Sequence, residues 1–129
     1  MILSFKPQFK EPILSGTKIH TFRLDPSDRW KKGRHIHHAT GVRSKKYECF
    51  KENDCKSVQR VFMTYAFNDV IEITIDGRYI HSHQEKEQIA FNDGFDSYSS
   101  FFNWFYTEIS KSPEKEFSGK IIHWTDFRY

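Results

Sequence analysis

The stretch SGTKIHTFR, residues 15–23, sets Lys18, Thr21 and Arg23 at close intervals after an apolar run that ends at the turn residue Gly16. Such a trio can grip an anion, or can pair a nucleophile with its base. A threonine hydroxyl is a weak nucleophile until an adjacent base takes its proton. A lysine becomes that base only where burial or a neighbouring cation lowers its pKa from about 10.4 toward neutrality. Arg23 is such a cation by position. In a strand beginning near Ile19 the side chains alternate, so Thr21 and Arg23 share one face while Phe22 turns to the core. The bland reading makes Thr21 an ordinary strand residue and Lys18 a snorkelling surface side chain.

A second chemistry lies in the basic run 29–46. Arg29, Lys31, Lys32, Arg34, Arg43, Lys45 and Lys46 fall there with no Asp or Glu between them, and His35, His37 and His38 share the span. A one-sided field favours an anionic partner, nucleic acid first, with Lys31, Lys32, Arg34, Arg43, Lys45 and Lys46 as candidate contacts. A solvated surface is the alternative. The three histidines are expected to add polar or phosphate contacts, and Trp30, Tyr47, Phe50 and Phe91 could stack a base. His35 and His37 would share a strand face, as would His81 and His83. Cys49 and Cys55 are spaced C-x5-C, wider than the usual zinc pairs. No metal and no other cofactor is therefore expected, and both cysteines are read as free thiols.

The elements that position these residues follow from composition and pattern. The chain has 129 residues, 17% aromatic with 13 Phe, and a net charge of +3. One domain with a ring-rich core is expected. The start MILSFKPQFKE does not read as a leader and no stretch is apolar enough to span a membrane, so a cytoplasmic protein without membrane partners is expected. ILSF opens as a strand. Phe9, Ile13 and Leu14 are spaced for one face of a short helix containing Pro12, stopped by Gly16. IHTFRL, RHIHHAT, VQRVFMTYAF, VIEITI, YIHS and GKIIHWTDF read as strands, with DGR at 76–78 as a hairpin turn. QEKEQIAFNDGF carries a short helix ending near Gly94. DSYSSFFNWFYTEIS is the strongest helix, capped by Asp96 or Ser97 and burying Phe101, Trp104, Phe105 and Ile109. Residues 41–57 are polar and irregular and are expected to form an exposed excursion. The class is α+β: a small barrel or curved sheet with helices at its ends.

Three motifs in order resemble those of the ASCH domain family, one of the PUA-like β-barrels. They are G-x-K-x-x-T-x-R at Gly16, Lys18, Thr21 and Arg23, then W-x-x-G-x-x-I at Trp30, Gly33 and Ile36. The third is A-x-x-D-G-F-x-S followed by F-x-x-W-F, running from Ala90 to Phe105. The resemblance covers nearly the whole chain and is weakest over 41–57. It implies a PUA-like barrel with two or three flanking helices that recognises RNA or a modified nucleoside in a pocket lined by Lys18, Thr21, Arg23 and Asp93. A compact branch of the family hydrolyses N4-acetylcytidine with a lysine, a threonine and a glutamate. Those roles would fall on Lys18, Thr21 and Asp93, the last one methylene shorter than the family's glutamate. Binding and amide hydrolysis both stay open, as does a third reading, a protein-interaction module with an incidental basic face.

Overall fold

The computed structural model describes residues 1–65 and 70–129. Strand β1, Ile2–Phe5, alternates exposed and buried side chains and leads into a 3-10 turn whose first residue is Pro7. Helix α1, Lys10–Ser15, ends at Gly16, whose N–H bonds to the Ile13 carbonyl and whose left-handed φ of 83° turns the chain out of the helix. A residue with a Cβ pays a steric cost in that conformation. Then come β2 (His20–Arg23), β3 (His35–Thr40), β4 (Glu48–Asp54), β5 (Ser57–Tyr65), β6 (Ile71–Ile75) and the two-residue β7 (Arg78–Tyr79). Helix α2, His83–Asn92, is capped by Ser82, and α3, Tyr98–Lys111, by Ser97, each hydroxyl accepting an N–H of the first turn. Strand β8, Glu116–His123, completes the sequence of elements.

The strands form two sheets. In the first, β1 runs parallel to β3 and β3 antiparallel to β4. In the second the order is β2-β8-β5-β6-β7, all antiparallel. The α+β class is as expected, but the described strands are hydrogen-bonded as two sheets, not one closed ring. Rings tie the layers together. Phe101, Phe105 and Ile109 of α3 are buried, and Phe105 meets Phe22 of β2 at 5.2 Å and Phe117 of β8 at 5.6 Å. Trp124, just past β8, reaches Phe5 and His38 of the first sheet, with ring centroids 6.3 and 4.6 Å away.

Three expectations need correction. Residues 41–57 are not an irregular excursion: seven of them are β4, paired with β3, and β5 already begins at Ser57. Strand β4 lies at a sheet edge with most of its side chains at least partly exposed, so backbone pairing defines it and no apolar alternation marks it. Leu14 is 45% exposed and does not share the buried face of Phe9 and Ile13. Trp104 is only partly buried, because it edges a cavity. The strand expected to run through residues 66 and 67 lies there outside the described residues. No helix of the described residues is long and apolar enough to cross a membrane.

Candidate functional site

The chain after α1 is held at two points. The Lys18 N–H bonds to the Pro12 carbonyl at 2.9 Å, and the Ile19 N–H bonds to the Asn92 carbonyl at 2.9 Å. The second bond lays the start of β2 against the end of α2, where Asp93 is the C-cap residue. Lys18 is thereby turned inward and is 2% exposed. Its Nζ donates to the Asp93 carbonyl at 2.6 Å and to Asp93 Oδ1 at 2.9 Å. A cation suits the carbonyl end of a helix, and it balances a carboxylate that the helix dipole disfavours. Gly94 makes room for this arrangement: with φ at 89°, a Cβ there would stand 2.9 Å from Lys18 Cδ.

Lys18, Thr21, Arg23 and Asp93 line one cavity of about 300 Å³, together with Phe5, Phe9, Phe95, Trp104 and Phe105. Arg23 donates to Thr21 Oγ1 at 2.7 Å and to the Ser4 carbonyl at 2.6 Å, so it joins β2 to β1. Its guanidinium lies 4.9 Å from the Phe5 ring centre, and Lys18 Nζ lies 4.9 Å from that of Phe9. Aromatic faces thus share the charge of both cations. Burial lowers the Lys18 pKa from its ordinary value; Asp93 opposes the shift, while Arg23 adds to it. The result is a net-cationic recess in which Asp93 is the carboxylate and Thr21 a buried hydroxyl.

Sequence reasoning missed two groups behind this wall. His20 is fully buried, with Nε2 2.6 Å from the Tyr129 hydroxyl and Nδ1 3.4 Å from Asp93 Oδ1. Asn92 donates to the same hydroxyl at 3.0 Å. The phenol proton is then free for His20 Nε2, which puts the ring N–H on Nδ1, facing Asp93. The Nδ1 contact is too poorly directed to count as a hydrogen bond. Burial lowers the His20 pKa, in keeping with a neutral ring. His20 lies between two motif residues, a hint in the sequence; nothing local marks the distant Tyr129.

The basic run does not form one patch. Lys31, Lys32 and Arg34 precede β3, whereas Arg43, Lys45 and Lys46 lie in the turn between β3 and β4; all six are exposed. Five strand steps at about 3.3 Å separate the two groups by roughly 17 Å. The second group follows Thr40, which is in register with Phe5 at the cavity, while the first precedes His35 near the Met1 end of β1. Strand β4 also brings acids alongside. His35 contacts Asp54 and Glu52, and His38 is buried against Asn53, so both rings are engaged within the protein. Trp30, Tyr47, Phe50 and Phe91 do not line the cavity, and Trp30 is core. Cys49 is an exposed free thiol and Cys55 a buried one. Compared with family models, curated proteins and solved structures, the chain matches none.

Proposed function

We propose that this protein is an ASCH-type, PUA-like module that recognises RNA or a modified nucleoside by taking one base into the Lys18–Thr21–Arg23–Asp93 cavity. The observation that carries this reading is the convergence of Lys18, just before β2, Thr21 and Arg23 of β2, and Asp93 at the end of α2 on a recess walled by six aromatic rings. About 300 Å³ is at the small end of ligand pockets, which suits a single ring system and not a folded polynucleotide. Rings offer stacking, while Lys18 and Arg23 offer donors to base carbonyl oxygens and Asp93 an acceptor for an exocyclic amine.

A second reading, hydrolysis of an acyl group from that amine, is favoured by one observation: Lys18 is buried, with a depressed pKa, in the cavity that holds the Thr21 hydroxyl. In that reading Thr21 attacks the acyl carbon, Lys18 receives its proton, and the amine leaves with a proton returned to it. Water then releases the acyl group from Thr21. The ion pair of Lys18 with Asp93 works against it, since a paired ammonium is not a base.

Titration of acylated and unmodified nucleosides, with product followed by chromatography, tests both readings. Thr21→Val and Lys18→Met keep shape and remove the polar group. For a binding site, each should weaken affinity by about 1 kcal/mol or more, the scale of a lost hydrogen bond, with no turnover by the parent protein. For an enzyme, each should abolish turnover and leave affinity within a few-fold. Undiminished binding in both variants would make the motif scaffold and refute the assignment.

A further inference from the structure

Away from this cavity, β3 and β4 gather a different set of groups on their outer face. His35 and His37 alternate onto one side of β3, and Glu52 stands opposite His37 in register. One donor atom from each of these three residues lies within 4.8 Å of the others. His35 Nε2 is 2.9 Å from Glu52 Oε1, and His37 Nδ1 is 3.7 Å from the same oxygen. Cys49 Sγ is 4.0 Å from His37 Nδ1. Cys49 and Glu52 are three residues apart and would face opposite sides of a regular strand. The register shift between His38 and Ala39, which pair with Lys51 and Cys49, inserts one extra residue and turns Cys49 back to the histidine face.

We propose that His35, His37 and Glu52, with Cys49 as fourth donor, form a binding site for a zinc-class divalent cation. Tetrahedral zinc, with bonds of about 2.0–2.1 Å to nitrogen and oxygen and 2.3 Å to sulfur, sets its donors roughly 3.3–3.6 Å apart. The His35–Glu52 and His37–Glu52 separations of 2.9 and 3.7 Å bracket that range. Cys49 Sγ, 4.0 Å from His37 Nδ1 and 3.7 Å from the Lys51 carbonyl, lies outside the 4.8 Å cluster of the three and reaches the ion only by rotating its side chain. Asp54 supplies the outer support such sites use: its Oδ1 is 2.8 Å from His35 Nδ1. A ring N–H held there leaves Nε2 as the lone-pair donor, facing Glu52. Two acceptors facing each other at 2.9 Å need a cation between them, either a proton or a metal ion. The mixed nitrogen, oxygen and thiolate set selects zinc over calcium or magnesium, which take oxygen ligands. The sequence expectation of no metal weighed Cys49 with Cys55; strand pairing instead joins Cys49 to the histidines and Glu52.

Zinc chloride titrated into the full chain, competed against a chromogenic chelator, reads stoichiometry and affinity. Cobalt chloride in parallel reads geometry. One equivalent should bind, with visible tetrahedral cobalt bands and a near-ultraviolet thiolate charge-transfer band that Cys49→Ser removes. His37→Ala should weaken zinc at least tenfold, and Asp54→Asn about 10- to 100-fold, the usual effect of losing an outer-shell partner. His83→Ala removes an exposed His–Glu pair on α2 and should change nothing. Cys49, Asp54 and His83 are exposed and His37 is half-buried, so none is core, and circular dichroism verifies the fold of each variant independently. Absence of stoichiometric binding, or affinity unchanged in His37→Ala, would mean that a proton alone bridges His35 and Glu52 and would overturn the site. A cobalt complex without the thiolate band would overturn the assignment of Cys49.

Discussion

His38 is fully buried, its Nε2 2.8 Å from Asn53 Oδ1 and its ring edge-on to Trp124. Burial lowers its pKa to about 4, and that of His123 to about 3. Both rings are therefore neutral in the folded protein and regain an ordinary pKa near 6.5 on unfolding. Below pH 6.5 the unfolded chain takes up protons that the folded chain refuses, so stability falls as pH drops toward 4 and is fully present above 6.5. His38 alone should contribute a loss of about 2 kcal/mol by pH 5. Urea midpoints at pH 7 and pH 5 measure it. His38→Gln, which keeps a donor for Asn53, should show a smaller difference between the two than the parent; an equal difference would show that His38 is not among the groups responsible.

At the scale of elements, the joint between α2 and β2 builds the cavity. Asp93 caps α2, Gly94 turns the chain, and Ile19 is bonded back to Asn92. Gly94→Ala would incur a left-handed backbone penalty and a collision with the Lys18 stem. Gly77→Ala, at φ 80° with nothing within 4 Å, incurs the backbone penalty only. Strained positions of this kind cost about 1–3 kcal/mol. Chemical denaturation should rank Gly94→Ala below Gly77→Ala in stability, and only Gly94→Ala should weaken nucleoside binding. Equal losses in stability and undisturbed binding would show that Lys18 shifts aside freely.

Across the whole molecule, charge placement separates two surfaces. Roughly 17 Å of strand lies between the basic groups, beyond a screening length of about 8 Å at physiological salt, so each acts on its own neighbourhood. Under the proposed binding of a base in the cavity, Arg43, Lys45 and Lys46, which follow Thr40 opposite Phe5, would be the group to meet the RNA phosphates. Neutralising these three should lower the salt slope of oligoribonucleotide binding by about 2, at roughly 0.7 per phosphate on a single strand. The same change at Lys31, Lys32 and Arg34 should leave the slope nearly unaltered. Fluorescence anisotropy across a potassium chloride series distinguishes the two. Equal slopes in both triple variants would return the whole run to solvated surface.

Local pattern determined much of this protein. The left-handed Gly16 stop, the Ser97 cap, the buried face of Phe101, Phe105 and Ile109, and the Asp76–Gly77 turn were all legible, because each depends on residues within a turn or two. Periodicity also put Phe22 in the core. What needed the tertiary structure was every relation across distance. The sequence hid β4, since an edge strand exposed on both faces carries no apolar rhythm and exists by pairing with β3. It placed Lys18 at a turn, free to lean over Thr21. Only the closure of α2 against β2 buries that ammonium against Asp93, 75 residues away. His20 with Tyr129, and Cys49 turned by a bulge toward His37, follow for the same reason: register and packing decide which side chains share a space, and spacing along one chain does not.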